Sequence, residues 1–431
     1  MHSISIAIER LGHFLAQAFP PTPGTRHVDV SFPLNDAFDP LAWLGAQVAY
    51  PQFYWQQRSG EEELAALGAV HHFSSLTLAR QFLQTHELSD DTRICGLNAF
   101  APEKSHLFLP RLLWLRLGGV ATLRLNLSSD HSLADDAQQA RAFLQQLSPA
   151  RTITPLAPHK VRETHLPEKP EWLRLISQAT ETIASGAFEK VVLARATDLH
   201  FDRGINAIAL MAASRRLNFN CYHFCMVFDA HSAFMGSSPE RLWRRRGNHL
   251  RTEALAGTVA SHPDDRQAQH LGEWLLADDK NQRENMLVVE DICQRLQHHT
   301  QALEVLPAQI VRLRKVQHLR RCIWTDLKHP DDEQCLQLLQ PTAAVAGLPR
   351  LSARDFIQTH EPFDREWYAG SAGYLSLAQS EFCVALRSAR VSDSAVRLYA
   401  GAGIVSGSVP EDEWQEIENK AAGLRTLLLM D

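Results

Sequence analysis

Apolar residues recur along this chain at two spacings, and the switches between them outline its elements. Ile4, Ile8, Leu11 and Leu15 fall at helical spacing, interrupted by Glu9 and Arg10, so the first segment reads as an amphipathic helix and not a secretion signal. A Pro/Gly break, Pro20-Pro21-Thr22-Pro23-Gly24, precedes short strand-like runs at 28–32 and 52–55. Residues 76–86 and 135–146 read as helices, and 111–116 with 121–127 as a hairpin joined through Gly118-Gly119. The stretch 150–170 is polar, Pro-containing and poor in apolar residues, as a linker would be. An amphipathic helix over 172–186 follows, ending at a glycine. Strand patterns then crowd together at 190–200, 221–228, 232–236, 241–246 and 249–253, before one long helix over 264–298. The last strands fall at 366–375, 381–389 and 395–405. A closing helix opens at Ser408-Val409-Pro410-Glu411-Asp412, with Pro in the first turn and acids at the positive end of the dipole. Runs of strands broken by groups of helices imply an α+β fold with largely antiparallel sheets.

Composition narrows the class. At 431 residues the length allows two or three domains, and 45% hydrophobic with 21% charged residues is ordinary for a soluble globular chain. A net charge of −6 without a basic stripe of interleaved aromatics gives no expectation of nucleic acid. No run approaches the roughly 18 apolar residues of a membrane span. Seven cysteines, scattered, odd in number and without a CxxC pair, suit a reducing compartment, so a cytoplasmic protein is expected. Cys221, His223 and Cys225 alternate inside an apolar strand, where cysteine acts as a small hydrophobe more often than as a ligand.

Five places carry polar residues that neither a core nor a surface obviously requires. Residues 399–420 join a bare run, Ala400-Gly401-Ala402-Gly403, to a helix with Glu413, Glu416 and Lys420 on one face. Two carboxylates and an amine opposite a bare backbone could cradle a metal ion and a small anion. On spacing alone an ordinary solvated face with Glu–Lys pairing is the commoner arrangement. Lys190 opens an otherwise apolar strand, as a snorkelling edge residue or as a general base. Glu240, after Ser237-Ser238-Pro239, is a pairing partner for Arg241 or a general acid. Glu284 stands in the long helix beside its apolar stripe, with Asn281 and Asp291 on the same face. Arg387 interrupts an apolar strand, where a guanidinium suits a carboxylate ligand.

Together these segments resemble the chorismate-utilising enzymes. The resemblance is carried by Lys190 in KVVLAR, GSSPERL at 236–242, EALAGT at 253–258 and KNQRENMLVVED at 280–291. VQHL at 316–319, QPTAAVAGLPR at 340–350, EWYAGSAGY at 366–374, EFCVALRSAR at 381–390 and the 399–420 stretch complete it, in order. The whole chain is most similar to the menaquinone-pathway isochorismate synthases. That resemblance implies large antiparallel sheets packed face to face with helices outside, as in the anthranilate synthase large subunit. Residues 1–165 would add strands and helices to the same unit. Residues 166–431 would form the chorismate-binding catalytic region, the two intertwined in one globular domain with the 150–170 stretch as a crossing loop.

The resemblance also implies the roles. Mg2+ held by Glu284 and Glu416 would grip the ring carboxylate of chorismate, with Glu413 in support. Tyr368 and Arg387 match positions for the pyruvyl carboxylate, Gly401, Gly403 and Lys420 match anion contacts, and His318 lines the pocket. Lys190 would deprotonate a water for attack at C2 while Glu240 protonates the departing C4 hydroxyl, yielding isochorismate. Anthranilate synthases carry glutamine at the Lys190 position. Aminodeoxychorismate synthases carry a lysine where this chain has Ala256, so no ammonia-supplying glutaminase subunit is expected. Pyruvate-eliminating relatives often have threonine at the Ala344 position, which favours stopping at isochorismate over the alternative, a salicylate synthase. Isochorismate supply for a siderophore is the other alternative. Gln340 departs from the family, where many members have histidine; a glutamine keeps a hydrogen-bonding role. Monomer and homodimer are both open.

Overall fold

Strands whose two faces are both covered read as continuous apolar runs, and two of them explain how this chain is layered. In the strand Gln52–Gln56, Phe53 and Trp55 enter one core while Tyr54 enters another. In Tyr222–Val227, Tyr222, Phe224 and Met226 join the first core and Cys225 the second. Cys221 and Cys225 are thus buried hydrophobes, as expected; Cys293 and Cys322 are partly exposed, and all seven cysteines are unpaired.

The computed structural model describes residues 3–34, 38–86 and 88–429. Its strands pair antiparallel throughout and form two layers. The first runs Gly24–Pro33, Val120–Ser129, Ser105–Leu117, Glu62–Phe73, Gln52–Gln56, Tyr222–Val227, Ser232–Ser238, Ser388–Ser392, Ala395–Ile404, Lys190–Phe201. The second runs Ile94–Asn98, Ser371–Leu375, Gln379–Val384, Arg241–Arg246, His249–Ala260, Val316–Asp326. Ser105–Leu117 joins them, since its first residues pair with Ile94–Asn98. The layers face each other: Trp55 donates from Nε1 to the Ala372 carbonyl at 3.3 Å, and Tyr222 donates to Glu381 at 2.6 Å. The helices Ser3–Leu15, Leu133–Gln145 and Ala207–Leu217 close the outer face of the first layer.

Four expectations need correction. The single helix over 264–298 is two, Asp265–Ala277 and Asp279–Leu296. Asp278 leaves the helical region at ψ 118 and its carboxylate accepts the Asn281 N–H, capping the second helix. Apolar periodicity continues across a one-residue break, so it could not register the cap. The strand over 381–389 is also two. Gln379–Val384 lies in the second layer and Ser388–Ser392 in the first, and Arg387 occupies the crossing at φ 47°. The 150–170 stretch is no plain linker, because Lys160–Leu166 pairs with Lys190–Phe201. Likewise 366–375 is a strand only from Ser371.

A buried ion pair locks the second layer to its helices. Arg245 donates to both carboxylate oxygens of Asp332 at 2.9 Å each, Ser380 donates to the same group, and both ionic side chains are sealed from water. Asp332→Ala strands the Arg245 charge and should cost about 3–5 kcal/mol of stability in urea unfolding. A loss below about 1 kcal/mol would show that water reaches the pair.

Candidate active site

A cleft of about 560 Å3 opens between the layers, where the chain crosses from one to the other. It is walled by irregular backbone. The His249–Ala260 strand shifts register between Leu255 and Thr258, and Gly257 sits at φ +93°. An added Cβ at Gly257 would also meet Asn281 Cβ and Leu319 at 3.2 Å, so the bulge demands glycine twice over. The helix bearing Glu284 is fastened onto this bulge. Asn285, fully buried, directs its amide at the carbonyls of Ala254, Ala256 and Leu319, and Asn281 accepts the Thr258 N–H at 3.0 Å.

Glu240, Glu284, His318, Ala344, Tyr368, Arg387, Gly401, Gly403 and Lys420 all line the cleft. Lys190 and Glu416 lie just behind its wall. Lys190 is not a snorkelling edge residue: its side chain is 0% exposed and its Nζ stands 3.2 Å from Glu284 Oε1. Glu416 touches the cleft through Lys420, whose Nζ lies 2.5 Å from it and donates to the Gly401 carbonyl at 2.8 Å. Glu413 is buried beneath, paired with Lys280 at 3.0 Å. The two glycines are bare for steric reasons. A Cβ on Gly403 would fall 2.1 Å from Glu284 Oε1, and one on Gly401 2.6 Å from the Tyr368 hydroxyl.

Electrostatics divides these groups by task. Burial, and then the negative charge of Glu253, push the Glu240 carboxyl up to about 8, so it holds its proton at neutral pH. It does not pair with Arg241, whose guanidinium goes to Glu381. Burial, and then the Arg387 and Lys420 cations, hold His318 far below its ordinary value. As a neutral ring, His318 accepts from Arg387 at Nε2 at 2.6 Å and donates from Nδ1 to the Gly257 carbonyl. Tyr368, its hydroxyl pushed up to about 12 by burial, stacks on Tyr399 at 5.0 Å.

Glu284, Glu413 and Glu416 converge from two helices. Burial and then the charge of Glu416 raise the Glu413 carboxyl, and Glu284 adds to the rise. Hard oxygen donors drawn together against their own repulsion fit Mg2+, which takes one or two carboxylates and completes its shell with substrate and water. Among the described residues no three His, Cys, Asp or Glu side chains are placed to enclose a metal on their own.

Residue-by-residue reading overlooked the apolar wall: Val192, Leu255, Val345, Leu386 and Tyr399. Each sits in a strand or turn with no polar signal, so only their proximity marks them. Gln340 lies outside the cleft lining, where its amide donates to the Ala99 carbonyl at 2.6 Å.

Comparison with known proteins agrees with this geometry. The family described as "Chorismate binding enzyme" matches residues 93–429. The chain is 65% identical over 431 residues to isochorismate synthase MenF of Escherichia coli (strain K12), covering 100% of each chain. It superposes on the solved menaquinone-specific isochorismate synthase of that species with a TM-score of 0.96, covering 99% of this chain and 100% of that one. At 17% identity it also shares its fold with anthranilate synthase component I from Streptococcus pneumoniae, with a TM-score of 0.60 over 95% and 93% of the chains.

Gly403→Ala should force Glu284 and Lys190 apart and lower stability by about 1–3 kcal/mol in chemical denaturation. Gly119→Ala, with nothing within 4 Å of the new Cβ, serves as the neutral control. Equal stability of the two variants would mean that the acid moves aside freely.

Proposed function

The chain belongs to the chorismate-binding enzymes and is an isochorismate synthase of the menaquinone branch, and we propose that Lys190 and Glu240 are its base and acid. The observation that carries this assignment is Glu240: wholly buried, facing the cleft, and proton-bearing at neutral pH. A carboxyl kept protonated can donate to a leaving hydroxyl, and Lys190 is close enough for its charge to act on Glu240.

In its free-amine form Lys190 takes a proton from water, whose oxygen bonds to C2 of chorismate. Both ring double bonds shift, from C1–C2 to C1–C6 and from C5–C6 to C4–C5, the C4–oxygen bond breaks, and Glu240 supplies the proton that releases the hydroxyl as water. One water enters and one leaves, so the net reaction is an isomerisation. Lys190 and Glu240 then exchange protons with solvent to restore their starting forms. Arg387 and Tyr368 would bind the pyruvyl carboxylate, the guanidinium offering two parallel donors. Gly401 and Gly403 would let the substrate lie against bare backbone, Lys420 would balance its charge, and His318 and Ala344 would shape the wall. Mg2+, held by Glu284 and Glu416, would supply positive charge for the ring carboxylate. Nothing in the proposal requires ammonia or a glutaminase subunit. No helix among the described residues is long and apolar enough to cross a membrane. The scattered, odd set of cysteines supports a cytoplasmic setting.

Lys190→Ala and Glu240→Gln should each lower kcat about a hundred- to ten-thousand-fold while circular dichroism stays unchanged. Near-normal turnover in either would remove that residue from the chemistry. Incubation with chorismate and Mg2+ should give isochorismate without pyruvate, and added ammonia should change nothing; released pyruvate would point to a lyase. Because Glu240 must carry its proton to act, the kcat profile should show an alkaline limb, with kcat falling as the pH rises through about 8.

A further inference from the structure

Glu240 sits on a turn whose two flanking peptides are gripped by one ion pair from outside the cleft. Arg58, on the hairpin loop after the strand Gln52–Gln56, donates from the same nitrogen to Glu253 Oε1 at 2.5 Å and to the Pro239 carbonyl at 2.8 Å. Glu253 Oε1 also accepts the Arg241 N–H at 2.6 Å. The peptide before Glu240 is therefore held by the cation, and the peptide after it by the anion. The remaining backbone bonds are weaker anchors: Glu240 N–H to Ser238 Oγ at 3.2 Å and Val384 N–H to the Glu240 carbonyl at 3.0 Å.

We infer that Arg58 and Glu253 are positioning residues for the isomerisation, a clamp that aims the Glu240 carboxyl and keeps it in its proton-donating form. The inference rests on the reading of Glu240 as the general acid. Neither residue lines the cleft, and the side chains are 14% and 1% exposed, so they act only through the turn and through charge. The charges that reach Glu240 come from four directions: Glu253 on His249–Ala260, Lys190 on Lys190–Phe201, Arg387 at the layer crossing and Arg58 on the hairpin loop. Glu253 opposes the three cations. Its second oxygen, Oε2, has no hydrogen-bond partner, and the nearest cation there is Arg320 at 3.6 Å. A sealed carboxylate disfavours a second negative charge beside it. Without the Glu253 charge, Lys190, Arg387 and Arg58 would be left unopposed to pull the proton off Glu240.

Glu253→Gln separates charge from position, because its amide oxygen still accepts from Arg58 and Arg241. In that variant the alkaline limb of the kcat profile should move from about 8 to lower pH by about one unit or more, with KM at pH 6 within about twofold of the parent. Arg58→Ala removes the grip on Pro239 and should lower kcat about tenfold or more with little change in KM, and Arg58→Lys should recover part of the loss. An unmoved limb in Glu253→Gln, or a change confined to KM in Arg58→Ala, overturns the clamp. Glu240→Gln in the same assay tells the two failures apart. If it keeps the parent rate, the acid assignment falls. If it is inactive while the Glu253→Gln limb is unmoved, only the clamp falls. Should Glu253→Gln not fold, the Arg58 pair decides the matter, since its loop position is partly exposed.

Discussion

A carboxyl group sealed from water keeps its proton unless a cation stands beside it, and a sealed amine needs an acid for the same reason. The gap between the two layers places both kinds of group under that constraint. Lys190 stands against Glu284, Lys420 against Glu416, Lys280 against Glu413 and Arg58 against Glu253. Glu240 is left with Glu253 as a neighbour of like charge and stays protonated. The acid that donates and the acids that suit a metal ion thus differ in surroundings, not in chemical type.

The same gap explains why the backbone is irregular at the cleft. A regular strand presents alternating side chains to two faces and cannot aim several residues at one point. Here a register shift at 255–258, the left-handed residue Arg387 and the turn holding Tyr368 each bend the chain toward the cleft. Arg387 lies where the chain leaves one layer for the other, so its strained φ and its place at the cleft have one cause. The glycines opposite complete the fit, because Glu284 and the Tyr368 hydroxyl occupy the space that side chains would need.

Residues far from the reaction matter through this arrangement. Arg58 belongs to a hairpin loop near the N-terminus, yet it bonds to the residue preceding Glu240. The N-terminal half reaches the same centre through pairing, since Gln52–Gln56 lies against Tyr222–Val227 and Ile94–Asn98 against Ser371–Leu375.

Local signals in the sequence were enough for most of the strand and helix pattern, the Gly118-Gly119 hairpin, the closing helix that opens at Pro410 and the motifs that mark the family. These depend on neighbours a few residues apart, and the chain records them directly. The roles of Lys190 and Glu240 were legible only through resemblance, because a lysine at a strand mouth and a glutamate after a turn have ordinary structural explanations. Tertiary structure decided between them by sealing both from water and setting Glu253 close enough to Glu240 to oppose the cations around it. It also decided the crossing at Arg387 and the apolar wall of the cleft, since each arises from contacts between segments distant in sequence. Burial and long-range pairing are properties of the folded chain, and no periodicity along a single strand or helix encodes them.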